Sequence, residues 1–299
     1  MPAHTAITKD CSMLEACKKT DGCSKMCPIG QKHRGPCMHV RLLSFIALLT
    51  ALKDVSAAND GGHTAQDRPS LDALGWALGT DKASHHSYTL MYEPFIAQWR
   101  DVSIRLLEIG VLNGSSLLMW NNYFSHPRAE FIGAGLHDPI TKSLGRARVI
   151  KADQSRETDL AKLKELGPWT IVVDDGSHVP HHQLMTFQQL FPTVVPGGLY
   201  IIEDIEVNYW RKRGAIIYGN PINGKVNMVE MFRRAIDSII NSEFTCPVVK
   251  SPIFSSEIDR MISAVTFIRN AIIVRKMPEQ FIRHVRYRMV DKIPCLAQG

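Results

Sequence analysis

The chain has 299 residues, long enough to bury a full core as one large domain or two small ones. Lysine and arginine number 35 against 29 aspartates and glutamates, and a surplus of 6 gives no reason to invoke a nucleic-acid partner. Of seven cysteines, five precede residue 38, no C-x-x-C pair occurs, and the odd early group lacks zinc-finger spacing, so neither a structural zinc nor a disulfide framework is indicated.

Residues 1–37 are polar and weakly periodic, which reads as a poorly ordered, cysteine-containing leader. The run LLSFIALLTAL at 42–52 has too few residues to span a bilayer as a helix. It matches the apolar core of a signal peptide, with Val55-Ser-Ala57 as a cleavage site, but such a peptide would have to begin at Met38. Three readings stay open: translation starting there, an interfacial or anchor helix contacting a membrane, or an amphipathic extension. Localisation is cytoplasmic by default, and secretory or membrane-anchored if 38–57 acts as signal or anchor. Asn59-Asp-Gly-Gly62 reads as a linker, which divides the chain into a leader at 1–70 and one domain at 71–299.

The domain opens with the turn-rich Gly79-Thr-Asp-Lys82 and an amphipathic helix over 88–100. His85 and His86 lie beside Tyr88 and Tyr92, but with no further ligand at helical spacing they read as surface or packing residues. A strand at 104–109 runs into Glu108-Ile-Gly110-Val-Leu-Asn-Gly114, followed by a helix at 117–123. A glycine turn between strand and helix lets a ligand approach the backbone and directs helix amides toward it, although the G-x-x-x-G spacing is not the dinucleotide fingerprint.

Strands follow at 131–136 and 147–150, the latter ending in Ala152-Asp153-Gln154, then a charged helix at 157–166. The strand at 170–173 breaks into Asp174-Asp175, Pro180 opens a helix over 180–190, and the strand at 198–202 breaks into Glu203-Asp204. Exposed helices in 223–245 are a candidate surface for self-association. Two β-rich runs, 264–268 and 271–275, form a hairpin about Arg269-Asn270. Arg283, Arg286, Arg288 and Lys292 in the tail read as a solvated helix face. Alternating strands and helices closing with a hairpin predict an α/β, doubly wound, mostly parallel sheet.

A right-handed crossover through 180–190 puts both acidic clusters at the same carboxyl edge of that sheet, where open α/β sheets bind ligands. Asp175, Glu203 and Asp204 would then stand on strands about 4.8 Å apart, an arrangement that needs a positive partner. A hard divalent cation is one candidate, and the plainer alternative is that these acids cap helices and meet basic residues at the surface. His178 favours the cation. It lies three residues past Asp175 across a Gly-Ser turn, where an imidazole can take a proton from a metal-polarised hydroxyl. His181 and His182 fall inside the helix and read as spectators.

Taken in order, Glu108-x-Gly110-x-x-x-Gly114, Asp153-Gln154, Val173-Asp-Asp-Gly-Ser-His178, Pro196-Gly-Gly-Leu-Tyr200 and Ile202-Glu-Asp204 with Tyr209-Trp210 resemble class I S-adenosylmethionine-dependent methyltransferases. The resemblance is narrower still to the metal-dependent macrolide-sugar (mycinamicin-type) O-methyltransferases, and it covers roughly 71–276. It implies a Rossmann-like, seven-stranded sheet and methyl transfer from S-adenosyl-L-methionine to a hydroxyl of a sugar, glycoside or other polyol. It also implies that Glu108, Gly110, Gly114, Asp153, Gln154 and Asp175 bind the cofactor. Asp175, Glu203 and Asp204 would hold Mg²⁺, with Mn²⁺ as substitute, and His178 would be the general base. Tyr209 and Trp210 would begin an insertion over the acceptor.

The chain departs from the pattern at two places. The acid that usually ends the second strand and holds the cofactor ribose is replaced by Gly135, with Asp138 further along the loop, and the leader does not look like the N-terminal domain of some relatives. Gly135 keeps a non-enzymatic binding protein as a rival reading. A nicotinamide-dependent oxidoreductase would want both the tighter glycine fingerprint and that missing acid.

Overall fold

Apolar residues run almost unbroken along each central strand, and successive side chains pack onto opposite faces of the sheet, so both faces need helices. The computed structural model meets this demand over the residues it describes, 68–136, 143–210, 226–240 and 251–281. The leader with its 42–52 segment, Asp138 and the basic tail lie outside them. Among the described residues no helix is long and apolar enough to cross a membrane.

Among the described residues three helices come first: α1 (Leu71–Leu78), α2 (Asp81–Ser84) and α3 (Tyr88–Ile96). Ser70 caps α1 by accepting from the Ala73 amide, and Gly79 closes it in the left-handed region at φ 69°. The amphipathic run expected to 100 tightens into a 3-10 turn at Ala97–Trp99, beyond Pro94. Next come β1 (Arg105–Ile109), α4 (Ser115–Tyr123), β2 (Glu130–Gly135), β3 (Ala147–Lys151), α5 (Glu157–Glu165), β4 (Trp169–Asp174) and α6 (Pro180–Leu190). The chain then forms β5 (Val194–Glu203), α7 (Met228–Ile240), α8 (Ser256–Met261), β6 (Ile262–Ile268) and β7 (Ala271–Lys276).

The seven strands form one sheet in the order β3-β2-β1-β4-β5-β7-β6. The first five are mutually parallel, and β7 runs antiparallel to both β5 and β6. The expected α/β class and C-terminal hairpin are therefore what the chain adopts. Leu107, Val172, Tyr200 and Ile202 face one core with Phe187 and Phe232, while Leu106, Ile171, Val173 and Ile201 face the other with Trp120 and Tyr92. Each large apolar side chain buried this way contributes about 1.5–3 kcal/mol, so the central strands are rigid supports for whatever leaves their carboxyl ends. The strand order reverses between β1 and β4, and the crevice outside that point is where this topology seats a ligand.

Candidate active site

A cleft of about 350 Å³, the size of a small-molecule site, opens at that reversal. Its walls include Gly110, Gly135, Asp153, Asp175, His178 and Asp204. Gly110 is required by geometry. Its φ is 95°, and a Cβ there would lie 1.8 Å from the Asp175 carbonyl oxygen, so the ends of β1 and β4 can cross this closely only over a glycine.

The cofactor-side residues do not all meet in the cleft. Gly110, Asp153, Gln154 and Asp175 line it, whereas Glu108 is fully buried beneath and Gly114 sits at the start of α4 with φ 77°. Glu108 Oε2 accepts from Ser116 Oγ at 2.8 Å and Trp120 Nε1 at 3.2 Å. Gln154 is committed to the fold: its Nε2 donates to Asp174 Oδ1 at 2.6 Å, and its Oε1 accepts from the Ser177 amide at 2.8 Å. Asp153 accepts from the amide and hydroxyl of Ser155 at 2.8 and 2.6 Å. Asp174 is fully buried, and burial pushes its carboxyl up to about 7 despite hydrogen bonds from Gln154 and Tyr200.

The acidic edge has an inner and an outer side. On the inner side the positive partner that the sequence demanded is Lys82, 1% exposed on α2. Its Nζ lies 2.5 Å from Asp175 Oδ2, 2.8 Å from Glu203 Oε2 and 3.3 Å from Glu108 Oε1. Burial alone would lower the lysine pKa, but Asp175, Glu203 and Glu108 outweigh it and hold the ammonium well above its ordinary value. Glu203, whose Oε1 accepts from Tyr92 at 3.0 Å, is pushed upward by burial and by Asp175 against the pull of Lys82. One ammonium among three carboxylates leaves a deficit of positive charge.

On the outer side, ligand atoms of Asp175, His178 and Asp204 all lie within 4.8 Å of one another. Asp204 Oδ1 accepts from Tyr88 at 2.8 Å and Asn270 at 3.0 Å, which fixes the carboxylate and leaves Oδ2 facing His178 Nε2 at 3.7 Å. His178 Nδ1 is buried without a partner. The His86 ring stacks on Tyr88 at 4.9 Å and brings its Nδ1 to 3.7 Å from Asp204 Oδ1. Carboxylate oxygens with unfilled lone pairs, beside a net negative interior, suit a hard divalent cation, and the imidazole next to them is suited to accepting a proton.

The backbone marks the same spot. Among the described residues, the non-glycines at positive φ are Ser87 (57°), His178 (56°), Asp204 (54°) and Asn270 (59°). Each such conformation costs on the order of 1–3 kcal/mol. His178 and Asn270 reach Asp204 directly, and Ser87 precedes Tyr88, so three of the four stand around the carboxylate of the fourth.

The sequence places none of Lys82, Tyr88, Tyr92 and Asn270 at this acidic edge, which they hold together. The i, i+4 spacing of Tyr88 and Tyr92 puts both on one helix face and was the one local hint. His182, read as a spectator, pairs its Nδ1 with Ser177 Oγ at 2.9 Å.

No protein-family model matches the chain. Among curated proteins, an 8-demethyl-8-alpha-L-rhamnosyl tetracenomycin-C 2'-O-methyltransferase of Streptomyces olivaceus is 33% identical over 235 residues, covering 76% of this chain and 58% of the relative. The mycinamicin VI 2''-O-methyltransferase of Micromonospora griseorubida is 32% identical over 218 residues, covering 70% and 53%. Among solved structures, the MycE methyltransferase of the mycinamycin biosynthetic pathway, in complex with Mg and SAH, aligns with a TM-score of 0.60 and 32% identity, over 71% of this chain and 55% of that one. The chain spans little more than half the length of these relatives. Its sheet is the Rossmann-like methyltransferase fold they share.

Proposed function

Because this chain is homologous to sugar O-methyltransferases, we propose that it transfers a methyl group from S-adenosyl-L-methionine to a hydroxyl of a sugar in a glycoside, assisted by Mg²⁺. One observation carries the reading: Asp175, His178 and Asp204 converge at the mouth of a glycine-walled cleft at the carboxyl edge. A MycE complex that also holds mycinamycin VI aligns at TM-score 0.58 and 30% identity over 71% of this chain, which supports a glycoside as acceptor class.

Asp175 and Asp204 would hold the cation, with Glu203 contributing through lone pairs left beside its bonds to Lys82 and Tyr92. When bound, the divalent ion would orient the acceptor and make its hydroxyl more acidic, and S-adenosylmethionine would supply the methyl group. His178 would act as general base. Its Nε2, on the side of Asp204 Oδ2, would take the hydroxyl proton as the acceptor oxygen attacks the methyl carbon and the carbon–sulfur bond breaks. Gly110 would let the cofactor approach the backbone, and Leu112 and Leu136, both exposed at the cleft, would add apolar contact.

The test is methyl transfer from labelled S-adenosylmethionine to a panel of rhamnosyl and deoxysugar glycosides, with Mg²⁺ and with EDTA. Transfer should need the metal and return when it is restored. Equal transfer in chelator would remove the metal reading. Failure to bind S-adenosylhomocysteine at all would favour a binding-only role for the fold.

A further inference from the structure

Lys82 Nζ donates to Asp175 Oδ2 and Glu203 Oε2 and lies 3.3 Å from Glu108 Oε1, so it meets carboxylates from the ends of three adjacent strands: Glu108 of β1, Asp175 after β4 and Glu203 of β5. Its side chain is enclosed, and its carboxylate partners belong to the inner side of the cluster whose outer side is Asp175, His178 and Asp204. Asp175 is common to both sides. We infer that Lys82 is a resident cation, which holds the inner carboxylates together when no divalent ion is bound and weakens the binding of that ion.

The inference rests on the metal reading above and follows from charge and distance. A buried ion pair that loses one partner leaves its other member uncompensated, and here three carboxylates would be left. They would repel one another until a cation entered from the cleft, so stability would come to depend on metal. While Lys82 is present, its charge and the divalent ion share Asp175. At an effective dielectric of about 20, repulsion between two cations this close shifts affinity by an order of magnitude or more. Lys82 thus lets the protein fold without metal and keeps the metal exchangeable.

Lys82→Met keeps the length and the apolar stem of the side chain and removes the charge. Thermal melting is compared in EDTA and in Mg²⁺, and Mn²⁺ is titrated by its paramagnetic resonance signal. Wild type should melt at nearly the same temperature in both buffers. The variant should melt roughly 10 °C lower in EDTA, recover most of that loss in Mg²⁺, and bind Mn²⁺ at least about tenfold more tightly. If the single variant does not fold in EDTA, Lys82→Met with Glu108→Gln removes one of the three uncompensated acids away from the cation side and gives the same comparison. Equal loss of stability in both buffers, or Mn²⁺ affinity unchanged or weaker, overturns the inference and makes Lys82 a packing residue. Wild-type protein that binds no Mn²⁺ overturns the metal reading and this inference with it.

Discussion

The two ends of the cleft are built differently. At the β4–β5 edge, charged side chains are fixed by Lys82, Tyr88, Tyr92 and Asn270, and the backbone holds two of the site residues, His178 and Asp204, at positive φ. At the β2 end, Gly135 offers no side chain, Leu136 is 61% exposed, and the wall is mostly backbone and apolar surface. Charge has to be held in place by neighbours, and three of those neighbours, Lys82, Tyr88 and Tyr92, are buried. A wall that a ligand only approaches needs little more than glycine. A substitution should therefore cost much at the first end and little at the second.

His178→Ala should give the largest effect, a fall in turnover of about 10²–10⁴-fold with S-adenosylhomocysteine affinity almost unchanged by calorimetry. Unchanged turnover would remove the histidine from the chemistry and weaken the contrast.

The next effect is in stability against pH. Asp174 has a folded pKa raised by burial from 3.8 to about 7, so its contribution is complete below the unfolded value and is lost as pH rises through about 7. Melting temperature should fall over that window in wild type and fall less steeply in Asp174→Asn. Identical slopes in the two proteins would contradict the burial account.

Tyr92→Phe removes a hydrogen bond to a buried carboxylate and should destabilise by about 1.5–3 kcal/mol in denaturant titration. A loss within error of zero would mean that Lys82 alone holds Glu203.

The smallest change should be a gain. A Cβ at Gly135 would meet nothing closer than the Val111 amide nitrogen at 3.5 Å, so the wall admits a side chain. Gly135→Asp should tighten S-adenosylhomocysteine by about tenfold, through a charge-assisted bond to a ribose hydroxyl. No gain would place the ribose elsewhere.

The sheet was legible because burial on two faces writes itself into near-continuous apolar runs, and the glycine turn because the positive φ at Gly110 is a demand of the turn itself. The acids at 175, 203 and 204 could be placed on one edge from a single crossover rule. What could not be read was their company. Lys82 lies 121 residues before Glu203 and Tyr88 lies 116 before Asp204, and no local pattern records a contact made across the fold. For the same reason the sequence left a metal and surface basic residues as alternative partners, when one partner is a buried ammonium, Lys82. Asn270 read as a hairpin turn residue, and it is one, at φ 59°; its amide also fixes Asp204.

The central claim is that cofactor and cation meet at this cleft. A crystal structure of the protein with S-adenosylhomocysteine and Mg²⁺ tests it directly. The account predicts the cofactor against Gly110 and Asp153, the ion on Asp175 and Asp204, and His178 Nε2 facing the open coordination side. A cleft empty of cofactor, or an ion bound away from both aspartates, would contradict it.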